Sequence, residues 1–218
     1  MKRPVKRDRE SVSLRWPPDD HSELQDFPSR TLPPEQELFR VTQIGHGPWW
    51  FGSSMNGRFD LAEPDGTCYA AANPLAALIE IVAPESANGI VSADLLRRRR
   101  LLCLHVPRKL ALADATSRQA GSFGVTLELS TITPYERPQA WAAKLRTAGF
   151  AGIVYWLRHD NSRAEGFALF GPHGEADWPW DDESPEGIQP EMIRLLQREF
   201  GIEVEETPRL DQLRIISD

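Results

Sequence analysis

The sequence predicts a single mixed α/β domain, a curved sheet with flanking helices. Three observations support this. Apolar runs of strand length alternate with amphipathic helical stretches in no regular βαβα order. Each helical stretch carries its own start and stop signals. The 218 residues allow one sizeable core, and no internal repeat is visible.

Residues 1–35 are polar and punctuated by proline, as at Pro17-Pro18 and Pro33-Pro34. They read as an extended arm laid over the domain of residues 36–218. Glu37–Val41 reads as the first short strand. In Gly45–Gly52, Trp49, Trp50 and Phe51 are adjacent and framed by glycines, so the stretch is expected to be a loop pressed on the core or on a pocket wall. Thr67–Ala71 is a strand or its end. Asn73 offers an N-cap oxygen and Pro74 takes the first helical position, where its missing N–H costs nothing. Leu75, Leu78, Ile79 and Val82 give that helix its buried stripe, and Pro84 stops it.

Leu101–Val106 reads as a buried strand, with Leu110–Leu112 and Val125–Leu129 as weaker ones. Pro138 is expected to open a helix through Trp141, Leu145 and Ala148, closed by Gly149. Gly152–Trp156 and Phe167–Phe170 are further strands. A last helix runs from Pro190 past Met192, Leu195, Leu196 and Phe200 to Gly201.

Composition narrows the function. A formal charge of -7 and a pI near 5.3 argue against direct nucleic-acid binding, although a local basic pocket is compatible with an acidic chain. The two cysteines, Cys68 and Cys103, make no disulfide scaffold and read as buried small hydrophobes. No apolar run reaches the roughly 20 residues of a membrane span, and no signal-peptide core follows Met1, so a cytoplasmic setting is expected. Dinucleotide-fold and phosphate-loop glycine motifs are missing. The five histidines show no paired ligand spacing, so no metal is expected, and His105 reads as a satisfied core or edge histidine. The Arg97–Arg100 run reads as a solvated turn or a partner-facing cluster. The acidic runs at 181–183 and 203–206 read as solvated.

One stretch carries chemistry. Arg58, Tyr69 and Glu80 fall beside one short strand and the helix after it, and folding requires none of them there. An arginine can grip a phosphate with a bidentate fork. A carboxylate can hold ribose hydroxyls or stabilise developing positive charge. A tyrosine can pack on a flat ring while its hydroxyl stays bonded. The small residues Ala76 and Ala77, one turn before Glu80, leave room for a ligand. Arg40, if it converges with Arg58, would complete a pyrophosphate clamp. Arg158-His159-Asp160 directly follows a strand, where ligands collect in open sheets.

These residues resemble the RES-domain family. The resemblance rests on Leu38-Phe39-Arg40-Val41, Gly57-Arg58-Phe59, Cys68-Tyr69-Ala70, Ala76–Glu80, Gly149–Tyr155 and Ala168–Gly171, in family order over about 36–172. It implies a fold related to ADP-ribosyltransferases. It implies a toxin that consumes NAD by hydrolysis or phosphorolysis, or that ADP-ribosylates a protein, with NAD as substrate and no prosthetic group. The implied partner is a helix-turn-helix antitoxin, and self-association stays open. Glu80, Arg58 and Tyr69 fall on catalytic positions of the family, and Arg40, Arg58, Tyr69, Tyr155 and Arg158 on NAD-binding ones. The chain departs from the family at Leu157, where a serine is usual. Leucine cannot hydrogen-bond, so a weakened module that binds NAD or a partner remains an alternative. Ser162, one turn on, is the nearest substitute.

Overall fold

The computed structural model describes residues 13–45, 47–182 and 187–206. Expectations for residues 1–12, His46 and Glu183 lie outside them. The described strands are β1 (Ser29–Leu32), β2 (Glu37–Gln43), β3 (Trp50–Phe51), β4 (Asp65–Ala71), β5 (Ile90–Ser92), β6 (Arg99–His105), β7 (Leu110–Asp114), β8 (Gly152–Trp156), β9 (Glu165–Pro172), β10 (Gly174–Glu175), β11 (Trp180–Asp182) and β12 (Glu203–Glu205). The α-helices are α1 (Pro74–Val82), α2 (Ala93–Arg97), α3 (Glu128–Thr131), α4 (Glu136–Thr147) and α5 (Pro190–Phe200).

Eight strands form one mixed sheet in the order β1-β7-β8-β9-β4-β2-β6-β11, with β7–β8 its parallel pair. Along β4 and β9, seven residue pairs keep register, from Asp65↔Pro172 to Ala71↔Gly166. Between β2 and β4 the register holds at one pair, Phe39↔Ala71. The sheet therefore has a seam there.

Side chains alternate across a strand, and each face of the sheet builds its own core. One face packs Val41, Leu101, Ile153 and Ala168 with Leu78 and Ile79 of α1, Trp141 and Leu145 of α4 and Leu196 of α5. The other packs Leu38, Cys68, Leu102, Leu104, Val154 and Leu169. The aromatic stretch closes that second face. Trp49 and Phe51 are 0% and 1% exposed, Trp50 points out, and β3 pairs with β10.

The residues before β2 do more than lie over the domain. Leu14, Leu24 and Phe27 are buried in the larger core. Leu14 N–H donates to Glu128 Oε2 at 2.6 Å, and the Leu14 and Arg15 carbonyls accept from Arg137 and from the Trp141 indole at 2.8 Å each. β1 then adds the edge strand beside β7. No boundary in packing falls at residue 35.

Local signals explain most elements. Asn73 Oδ1 accepts from Ala76 N–H at 2.8 Å and caps α1, with Pro74 in the first position. Gly149 and Gly201 end α4 and α5 at φ +96° and +64°. Two expectations are corrected. Val125–Leu129 is not a strand; α3 starts at Glu128, whose carboxylate anchors Leu14. α4 starts at Glu136, two residues before Pro138, because proline is tolerated throughout a first turn, where its N–H has no helical partner. The basic run is engaged within the chain. Arg97 pairs with Asp94 and Glu206, and Arg100 lies over the Trp180 ring. No helix among the described residues is long and apolar enough to cross a membrane.

Candidate active site

A cavity of about 350 Å³ opens at the seam. Phe39–Val41 of β2 and Tyr69–Ala71 of β4 form one side of it. Ala77 and Glu80 of α1, Arg58 from the loop before β4, and Tyr155, Leu157, Arg158 and His159 at and just after the end of β8 line it with Ser130 and Tyr135. Five residues singled out from sequence for their polar groups meet there: Arg58, Tyr69, Glu80, Tyr155 and Arg158. Ala77 leaves the expected opening next to Glu80, whereas Ala76 is fully packed in the core.

Glu80 projects from the second turn of α1, and its Oε1 accepts the His159 backbone N–H at 2.9 Å. The turn after β8 thus fixes the carboxylate, and Oε2 has no protein hydrogen bond among the described residues. Tyr155 is 8% exposed and its ring stands 4.7 Å from that of Phe59. Burial, and then the charge of Glu80, push its hydroxyl far above the ordinary tyrosine value. It is a neutral donor at any physiological pH.

Arg58 donates to the Ile132 carbonyl at 2.7 Å and lies over the Tyr135 ring at 4.6 Å. Burial lowers its pKa, and nearby Arg158 adds to the lowering, yet a guanidinium stays charged. The two cations line the cavity together with Glu80 and the tyrosines.

Tyr69 is held by a group the sequence reading missed. Its hydroxyl donates to Asp60 Oδ1 at 2.9 Å and accepts from Phe59 N–H at 2.7 Å. Asp60, 4% exposed, also accepts from Gly57 N–H and Ser54 Oγ. Burial and the Asp60 charge raise the Tyr69 pKa well above normal. A side chain at Gly57 would run into Asp60 and come within 2.7 Å of the Tyr69 hydroxyl, so glycine is required at that close approach. The signal available was local: an acid three residues after a turn glycine, able to bond back to its N–H. Ser130 and Tyr135 carry no such signal, because tertiary packing brings them in. Ser130 is 7% exposed and borders the cavity, with no hydrogen bond to its hydroxyl among the described residues.

Two expectations change, those for Arg40 and Ser162. Arg40 borders the cavity, but its Nη1 bonds the Pro48 and Trp50 carbonyls at 3.1 Å each and Cys68 Sγ at 2.7 Å. Cys68 and Tyr69 are neighbours on β4 and face opposite ways, so the Arg40 head lies on the far side of the sheet from Tyr69. The described Arg40 bonds thus run to its own loop and to Cys68 rather than to the Arg58 side, and the cation whose charge acts on Arg58 is Arg158. Leu157, 5% exposed, is an apolar part of the cavity wall. Ser162 lines a separate small cavity with Asp160 and Phe200, so it does not replace the missing serine.

Comparison with known proteins follows the geometry. The family model described as RES domain matches residues 37–186, more than half of the chain. A search of curated proteins finds no match. Among solved structures, the crystal structure of the M. tuberculosis MbcT-MbcA toxin-antitoxin complex contains a chain of similar fold. The TM-score is 0.60 at 15% identity, covering 82% of this chain and 95% of that one.

Proposed function

This chain belongs to the RES-domain family, and we propose that it cleaves the nicotinamide–ribose bond of NAD as the toxin of a toxin–antitoxin pair. The observation that carries this reading is the fixed Glu80 carboxylate, one oxygen bonded to the His159 amide and the other directed by that bond, in a cavity with Arg58 and Arg158. In the reaction the bond between nicotinamide and the anomeric carbon breaks. Its electron pair leaves with the ring, which departs neutral, and positive charge develops on the ribose. Glu80 stabilises that charge as it forms. Arg58 and Arg158 hold the pyrophosphate, turning binding into orientation. Tyr69 and Tyr155 pack against the nicotinamide end and stay neutral hydrogen-bonding groups. Water, phosphate or a protein side chain then bonds to the anomeric carbon.

Purified protein incubated with NAD, with and without phosphate, is expected to release nicotinamide measurable by chromatography. Phosphate-stimulated release identifies phosphorolysis, and phosphate-independent release identifies hydrolysis. Folded protein that releases none in either condition defeats autonomous NAD cleavage. A target-dependent transferase would then show as label from NAD on a protein. Leu157 favours one second reading, a module that binds NAD without turning it over. Calorimetric NAD binding without nicotinamide release is its signature.

The toxin reading draws on the fold neighbour, whose structure is that of a toxin–antitoxin complex. An antitoxin of helix-turn-helix type would silence this chain by placing a carboxylate against Arg58 and Arg158. Expression alone is expected to arrest growth and lower cellular NAD.

A further inference from the structure

A second constellation lies outside the cavity, on β2, β6 and β11. Glu37 stands opposite His105 and Phe39 opposite Cys103 across β2–β6, and Asp181 of β11 stands opposite Cys103. Directly opposed residues share a face, as do residues two apart on a strand. Glu37, Cys103, His105 and Asp181 therefore project from one face of three adjacent strands. The alternate residues Leu38, Leu102 and Leu104 fill the second core on the other face. One ligand atom each from Glu37, Cys103 and His105 lies within 4.8 Å of the other two. His105 Nε2 is 2.8 Å from Asp181 Oδ2, which leaves Nδ1 for another partner.

We propose that this face holds a divalent cation of the zinc type, ligated by Glu37, Cys103 and His105, with solvent in the fourth position. Thiolate, imidazole and carboxylate are the donors zinc accepts. Zinc–ligand bonds of about 2.0–2.3 Å set tetrahedral ligand atoms about 3.3–3.8 Å apart, so small side-chain rotations close the set. Asp181 is a positioning residue. It takes the second ring N–H of His105, which fixes the tautomer and orients the imidazole, as carboxylates do beside metal-bound histidines. Exposed Glu37 gives the ion its entry, and Cys103, 3% exposed, gives it a sheltered anchor. When the ion binds, the Cys103 S–H bond breaks, the sulfur lone pair bonds the metal, and the proton passes to solvent. Affinity therefore rises with pH. The bound ion ties β2 to β6.

Cobalt(II) titrated into the full chain tests this without reference to NAD. One equivalent per chain is expected to bind, with the absorption of a tetrahedral site and a thiolate-to-cobalt charge-transfer band that zinc abolishes. Cys103→Ser removes the band; Cys68→Ser, at the buried cysteine on the opposite face, keeps it. His105→Asn and Glu37→Gln, both at partly or fully exposed positions, weaken cobalt binding at least tenfold and serve if Cys103→Ser does not fold. The proposal fails if wild type shows no charge-transfer band, if the band persists in Cys103→Ser, or if both His105→Asn and Glu37→Gln bind cobalt as wild type does.

Discussion

Glu80 is the residue on which the proposed chemistry turns. Glu80→Gln keeps its shape and still offers an oxygen to the His159 amide, but removes the charge. Nicotinamide release is expected to fall about 100-fold or more while the thermal midpoint moves little; an unchanged rate would make Glu80 a packing residue. Ser130 borders the cavity with a hydroxyl that makes no hydrogen bond among the described residues, and Ser130→Ala is expected to weaken NAD affinity several-fold in calorimetry. Tyr155 gives a pH signature. Its folded pKa lies above its unfolded one, so above the usual tyrosine value of about 10 the unfolded chain sheds a proton that the folded chain keeps. The unfolded state then binds fewer protons, and stability falls as pH rises. Urea midpoints followed above about pH 10 should drop less steeply in Tyr155→Phe than in wild type. At this scale the sequence singled out Glu80 and Arg58, each a charge beside apolar neighbours, and both line the cavity; their bonds to the His159 amide and the Ile132 carbonyl join distant segments and could not be read from it. It misled at Arg40, because the direction of a strand side chain depends on register, which no single strand reveals.

At the scale of elements, the site depends on how α1 starts. Asn73 caps the helix that carries Glu80, and Asn73→Ala is expected to cost about 1 kcal/mol in urea unfolding. The same variant should lower turnover only modestly, since α1 is also held by its buried stripe. Gly166 is a sterner case. A methyl there would come within 2.5 Å of Leu157 and 2.6 Å of the Tyr155 ring, so Gly166→Ala must shift the cavity wall. NAD affinity should fall more in Gly166→Ala than in Asn73→Ala. Helices with caps and stops could be placed from sequence, because those signals are local. Val125–Leu129 could not, since its apolar residues alternate like a strand while packing with the distant Leu14 segment makes part of it helical.

For the whole molecule, the segment before β2 is part of the fold. Phe27 is 3% exposed and packs against Phe123, Trp141 and Phe150. Phe27→Ala is expected to cost about 3–5 kcal/mol, and a chain beginning at residue 36 should be poorly folded by circular dichroism. Its polar, proline-rich composition concealed this, because the three residues that are buried, Leu14, Leu24 and Phe27, are spread over fourteen positions with no period. The single ladder pair between β2 and β4 has a broader mechanical consequence. The sheet is two leaves bound along a spine one stitch long, and the cavity lies in the gutter. α1 packs on β2, while the turn that grips Glu80 leaves β8 on the other leaf. The carboxylate is therefore also the clasp of the book: one oxygen fastens the far leaf while the other faces the gutter, so the fastening that holds the leaves together is the one that aims the site.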